Sequence, residues 1–137
     1  MVAKFLEFAT NHYLLVGLFF VLLIALLFNE MRRAGRALTS GQLTSLVNAD
    51  QGVVVDIRPA KEFATGRVAG AVNIPQDKLV NRISELDKYK GKTIIVVDAS
   101  GQHSGSACQE LKKAGHTVAR LSGGMSTWRA DNLPVVK

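Results

Sequence analysis

Polar and apolar positions divide this chain into two kinds of sequence. From Tyr13 to Phe28 it reads YLLVGLFFVLLIALLF, without a charge or a strongly polar side chain. As helix this stretch rises about 24 Å, slightly less than a hydrocarbon core of roughly 30 Å. The mildly polar flank from Phe8 extends its reach. Uniform hydrophobicity leaves no polar face for solvent, unlike a helix of a globular core. The residues that follow, Asn29 to Arg33, lack the small-x-small pattern of a cleaved leader. The pattern predicts a transmembrane helix over 13–28, an N-terminal flank over 1–12 and a basic juxtamembrane linker over 29–37. His12 and Tyr13 then sit in the interface, where amphipathic rings are favoured.

Downstream the period changes and alternates. Ser40 can cap a helix over 42–48 that places Leu43, Leu46 and Val47 on one face. Val53-Val54-Val55 is a continuous β-branched run, the mark of a strand buried on both faces. Pro59 suits the first position of a helix, and Arg58 and Glu62 are spaced to pair across one turn. Ala71 to Ile74 reads as a strand ended by Pro75, and Leu79, Ile83 and Leu86 share a helix face. Thr93 to Val97 is the second strongly buried strand. A glycine- and serine-rich loop then leads into a helix from Ser104 to Ala114, closed by Gly115. Val118 to Leu121 is the last strand, and Gly123-Gly124 opens a short helix carrying Trp128. Strands alternating with helices predict a mainly parallel sheet with helices on both faces. In such sheets chemistry collects beyond the strand C-termini, where Asp56 and Asp98 lie.

Charge modifies this picture in one place. The formal net charge is +6, but Arg32, Arg33 and Arg36 cluster after the apolar run, whereas only Lys4 and the α-amino group precede it. Positive charge is kept on the cytoplasmic side, so the C-terminal domain is expected in the cytoplasm. No ionisable residue and no Gly-xxx-Gly pair lies in the span, so it reads as an anchor. The remaining charges are of mixed sign with no basic-aromatic tract, which argues against a nucleic-acid partner. Cys108 is the one cysteine, which excludes an intramolecular disulfide and a multi-cysteine metal site. His12 and His116 have no second ligand at metal spacing; His116 is expected at the surface after a helix end. No metal and no cofactor is called for.

Val53 to Pro75 (VVVDIRPAKEFATGRVAGAVNIP) resembles the first signature of rhodanese-like domains through Asp56, Arg58, Glu62, Phe63, Gly66, Gly70, Ala71 and Asn73. Leu121 to Trp128 (LSGGMSTW) is similar to the family's closing motif through Gly123, Gly124 and Trp128. The resemblance spans about a hundred residues and implies a rhodanese-like α/β domain. With the anchor, the layout resembles bacterial inner-membrane proteins of that family. One departure is decisive. Active members follow the strand with a loop that begins in Cys and holds Gly, then Arg and Ser. Here the loop is Asp98, Ala99, Ser100, Gly101, Gln102, His103, with Gly101 and Ser104 keeping their places. Asp98 stands where the nucleophile is implied, and His103 where Arg is common.

Sulfur transfer needs a thiolate that attacks the donor and carries the sulfur as a persulfide. The resemblance implies a loop whose backbone N–H groups ring that sulfur, beside a helix N-terminus. A carboxylate forms no persulfide, yet it can accept the same hydrogen bonds. Asp98 is therefore expected as a built-in anion in the thiolate's place, or else as a simple cap of the next helix or a solvent-facing side chain. Cys108, ten residues on and inside that helix, is expected to be an inert small hydrophobe; the rival is a relocated sulfur carrier. Trp128, with Leu121 and Leu133, is expected in the core. The expectation is a catalytically silent, membrane-held module that binds another membrane protein or a membrane-associated one. The alternative is a sulfurtransferase using Cys108.

Overall fold

The computed structural model describes residues 1–33 and 35–137 and separates into two compact units, 1–32 and 33–137. The first holds helix α1 (Val2–Asn11) and most of α2 (Tyr13–Arg33). Residues 13–32 of α2 are long and apolar enough to cross a membrane. The helix thus runs past Phe28, because Asn29 to Arg33 carry neither Pro nor Gly to stop it. At the far end of the expected linker, Arg36–Leu38 forms a strand, β1. The segment 29–37 is therefore regular structure at both ends.

The second unit continues with α3 (Ser40–Asn48), β2 (Gly52–Asp56), α4 (Ala60–Thr65), β3 (Val72–Asn73), α5 (Leu79–Arg82), β4 (Thr93–Val97), α6 (Ser104–Lys113), β5 (Thr117–Leu121) and α7 (Gly124–Ala130). Tight 3-10 turns flank α5. The five strands are parallel in the order β1-β5-β4-β2-β3. Alternation along β4 sorts the core into two halves. Ile94 and Val96 pack with Leu79, Leu86, Ala107, Cys108 and Leu111. Ile95 and Val97 pack with Leu38, Leu43, Met125 and Trp128.

Several local expectations shift. Thr39, not Ser40, caps α3: its hydroxyl accepts from the Gln42 amide at 3.2 Å while the Gln42 side chain accepts from the Thr39 amide at 3.0 Å. This reciprocal pair satisfies two donors that a lone Ser40 would leave open. Pro59 is extended (φ −54°, ψ 150°) and stands before α4 rather than inside it. His116 is buried, not superficial. The left-handed Gly115 (φ +93°) turns the chain straight from α6 into β5, carrying His116 inward. Trp128 packs in the second core half, near Leu121 and Leu133, and its indole N–H donates to the Pro134 carbonyl at 3.0 Å.

Candidate functional site

The topology decides where a site can form. After β2 the chain leaves toward β3 at one edge; after β4 it leaves toward β5 on the other side. The loops at the C-termini of these adjacent strands diverge, which opens a crevice at a switch point. A cleft of about 620 Å³ lies there, lined among others by Arg58, Glu62, Asp77, Lys78, Asp98 and His103.

One wall is latched by the first signature. Arg58 and Asp56 are 4% and 1% exposed, so neither charge can stay unpaired. The Arg58 guanidinium donates Nε to Asp56 Oδ1 at 2.9 Å and Nη2 to Oδ2 at 2.7 Å. Nη2 also donates to the Gly66 carbonyl at 2.8 Å. The expected Arg58–Glu62 pair does not form: the buried Asp56 is two residues away and offers both oxygens to the guanidinium fork. Glu62 instead stays exposed on α4 at the cleft. Asn73 reaches across from β3 and donates to the carbonyls of Asp56 and Arg58, each at 3.0 Å. Asp56, Arg58, Gly66 and Asn73 thus hold the turn, with Arg58 also lining the cleft. Gly70, at φ +78°, shapes the turn before β3.

The other wall is the loop after β4. Asp98 is 2% exposed. Its Oδ1 accepts from the Gly101 amide at 2.8 Å, and its Oδ2 accepts from the His103 amide at 2.8 Å and the Ser104 amide at 3.3 Å. Three backbone donors therefore converge on one carboxylate. Burial overturns the solvent-facing reading of Asp98, and the other two merge: the amides that ring it include those at the start of α6, so it fills the ring and caps the helix together. The His103 side chain is exposed and makes no cap bond. Ala99, Ser100 and Gln102 form the outer rim of the loop, all exposed.

The closing motif supports this loop from behind. The Met125 amide donates to the Asp98 carbonyl at 2.8 Å, and the Ser126 amide to the Ala99 carbonyl at 2.9 Å. Such close approach requires glycine. A Cβ on Gly124 (φ +59°) would collide with the Asp98 carbonyl oxygen and lie 2.7 Å from its Oδ1. One on Gly101 (φ +90°) would press on the Gly123 backbone at 3.3 Å. Gly123 and Gly124 thus act as the seat of the Asp98 loop.

Cys108 is not at this site. It is fully buried in the first core half, with its thiol directed at the Ala119 carbonyl at 3.6 Å. Burial pushes the thiol up to about 11, only partly offset by the positive charges of Arg120 and Lys112. It does not line the cleft. Sequence reasoning missed Gln76, Asp77 and Lys78, which supply part of the cleft wall; the signal was Pro75 followed by three polar residues.

The fold and sequence that build this site have known relatives. The family model for the rhodanese-like domain matches residues 39–131. The protein YibN of Escherichia coli (strain K12) is 34% identical over 98% of this chain and 97% of its own length. A sulfurtransferase of Allochromatium vinosum is 32% identical over 66% of this chain and 84% of its own. The crystal structure of a rhodanese-related protein from Thermoplasma volcanium superposes with a TM-score of 0.67 at 27% identity, covering 74% of this chain and 97% of that one. Sequence signatures, sheet order and loop seat therefore lead to one assignment: this chain belongs to the rhodanese-like domain family.

Proposed function

We propose that this protein is a catalytically silent rhodanese-like module that α2 holds at the cytoplasmic face of a bacterial inner membrane, where it works by binding another membrane or membrane-associated protein. One observation carries the proposal: the amide ring in which a persulfide-bearing sulfur would sit is filled by the Asp98 carboxylate. That group is already satisfied by three donors, and carboxylate oxygen cannot accept and pass on a sulfane sulfur. The apolar run of α2 and the arginines after it support the anchor and its orientation. Anchoring raises the effective concentration of the module at membrane partners.

The enzyme alternative places the sulfur on Cys108. Its burial, its raised pKa and its place outside the cleft all oppose that role. Relatives named as sulfurtransferases keep the alternative worth testing. Thiosulfate:cyanide turnover is measured on the full-length protein in detergent, beside Cys108→Ser. No turnover in either is expected. Turnover in the wild type that disappears in Cys108→Ser would establish the enzyme instead.

A further inference from the structure

Helix α1 is not needed to cross a bilayer. Residues 13–32 of α2 are by themselves long and apolar enough to cross a bilayer: the uncharged run to Phe28 rises about 24 Å, and the stem of Arg32 lets its charged head reach the headgroups. One residue, His12, separates the helices, and its backbone (φ −124°, ψ 42°) leaves helical geometry. The two helices also differ in kind. Val2, Phe5, Leu6 and Ala9 fall at i, i+3, i+4 and i+7, a single stripe with Phe8 at its border. Lys4, Glu7 and Asn11 share the opposite face. The large side chains of the stripe are open: Val2, Phe5, Leu6 and Phe8 expose 73%, 70%, 57% and 56% of their surface.

With no protein partner on it, α1 has three placements beside a membrane-spanning α2, and the chemistry separates them. Extending the span would draw Lys4 and Glu7 into hydrocarbon that α2 already fills. Projecting into water would leave the whole stripe hydrated. Lying flat buries the stripe among the upper acyl chains and keeps Lys4, Glu7 and Asn11 in the headgroup layer. His12 supplies the break in helical geometry that such a turn needs. Its ring packs on Phe8 with centroids 4.7 Å apart, an amphipathic pair of the kind favoured at that depth.

We infer that α1 is an interfacial helix whose apolar stripe is covered by lipid, in the leaflet opposite the rhodanese-like domain. The inference rests on the membrane anchoring proposed above. Chain order puts α1 before the proposed crossing and the rhodanese-like domain after it.

A nitroxide scan of the full-length protein in phosphatidylethanolamine–phosphatidylglycerol vesicles tests this, with single cysteines placed at each position from Val2 to Asn11 and at Leu22. The wild-type chain treated alike supplies the background from buried Cys108. Collision with oxygen should peak at Val2, Phe5, Leu6 and Ala9, and collision with a water-soluble nickel complex at Lys4, Glu7 and Asn11. Depth should stay shallow and level along α1, while Leu22 reads deep. Water exposure at every α1 position, a depth that changes steadily along α1, or a stripe closed to both colliders, as a protein partner would leave it, each overturns the inference while a deep Leu22 leaves the anchor standing. A water-exposed Leu22 overturns the anchor and the inference with it.

Discussion

Removing the Asp98 carboxylate should destabilise the soluble unit by an amount that counts its hydrogen bonds. Two of the three are short, at 2.8 Å, and the third is 3.3 Å. Hydrogen bonds to a charged group contribute about 1.5–3 kcal/mol each. The two short ones alone set a scale of about 3–6 kcal/mol. Asp98→Ala strips all three acceptors, but the cleft beside the loop lets water re-solvate part of the ring. The net loss should be about 2–4 kcal/mol, or roughly 10–20 °C in Tm for a domain of this size. Asp98→Asn is the sharper probe. It keeps the shape and one carbonyl oxygen, and the better rotamer faces His103 and Ser104 while turning its NH2 on the Gly101 N–H. It strands one donor instead of three and should cost about 1–3 kcal/mol. Urea unfolding followed by Trp128 fluorescence and circular dichroism measures both. Asp98→Ala within about 0.5 kcal/mol of wild type, the range of an ordinary surface change, would refute the cradle.

Other expectations follow from the same geometry. Gly124→Ala forces a side chain into a left-handed backbone (φ +59°) against Asp98; it should cost at least about 3 kcal/mol by urea unfolding. Arg58→Ala leaves the buried Asp56 charge alone and should cost about 3–5 kcal/mol. Arg58→Lys should recover little, since an ammonium cannot span both carboxylate oxygens and the Gly66 carbonyl; recovery to wild-type Tm would contradict the latch. Burial raises Cys108 from 9.0 to about 11, so below pH 9 folded and unfolded chains hold the proton alike. Above that pH the unfolded chain releases it first, and stability should fall through pH 11 by about 2–3 kcal/mol more than in Cys108→Ala. Equal alkaline slopes for the two proteins would contradict the burial.

Much of this molecule is legible in its sequence, for reasons that differ by element. Val53–Val55 and Thr93–Val97 read as buried strands because β-branched runs between turn residues have few other homes. The departure at Asp98 is legible because Gly101 and Ser104 hold the register of the loop. What escapes is tertiary. β1 has three residues, one of them buried, too few to show a period; only pairing with β5 makes it a strand. The Arg58–Asp56 pair escapes because helix spacing favours Glu62, whereas the preceding strand buries Asp56 next to the guanidinium. His116 escapes because a polar residue after a helix-closing glycine resembles a surface turn, and only the immediate start of β5 draws it in. Its ring nitrogens have no hydrogen-bond partner among the described residues, and Nε2 lies 3.7 Å from Asp87 Oδ1.

If the loop after β4 is an intact sulfur cradle occupied by a carboxylate, restoring sulfur at position 98 should restore its chemistry. Intact-mass spectrometry after exposure to thiosulfate tests it, with wild type and Asp98→Cys compared under native conditions. The wild type should gain nothing, whereas the thiolate introduced by Asp98→Cys should displace sulfite and gain the mass of one sulfur atom, removable by cyanide. A persulfide on wild-type Cys108, or none on a folded Asp98→Cys protein, would contradict it.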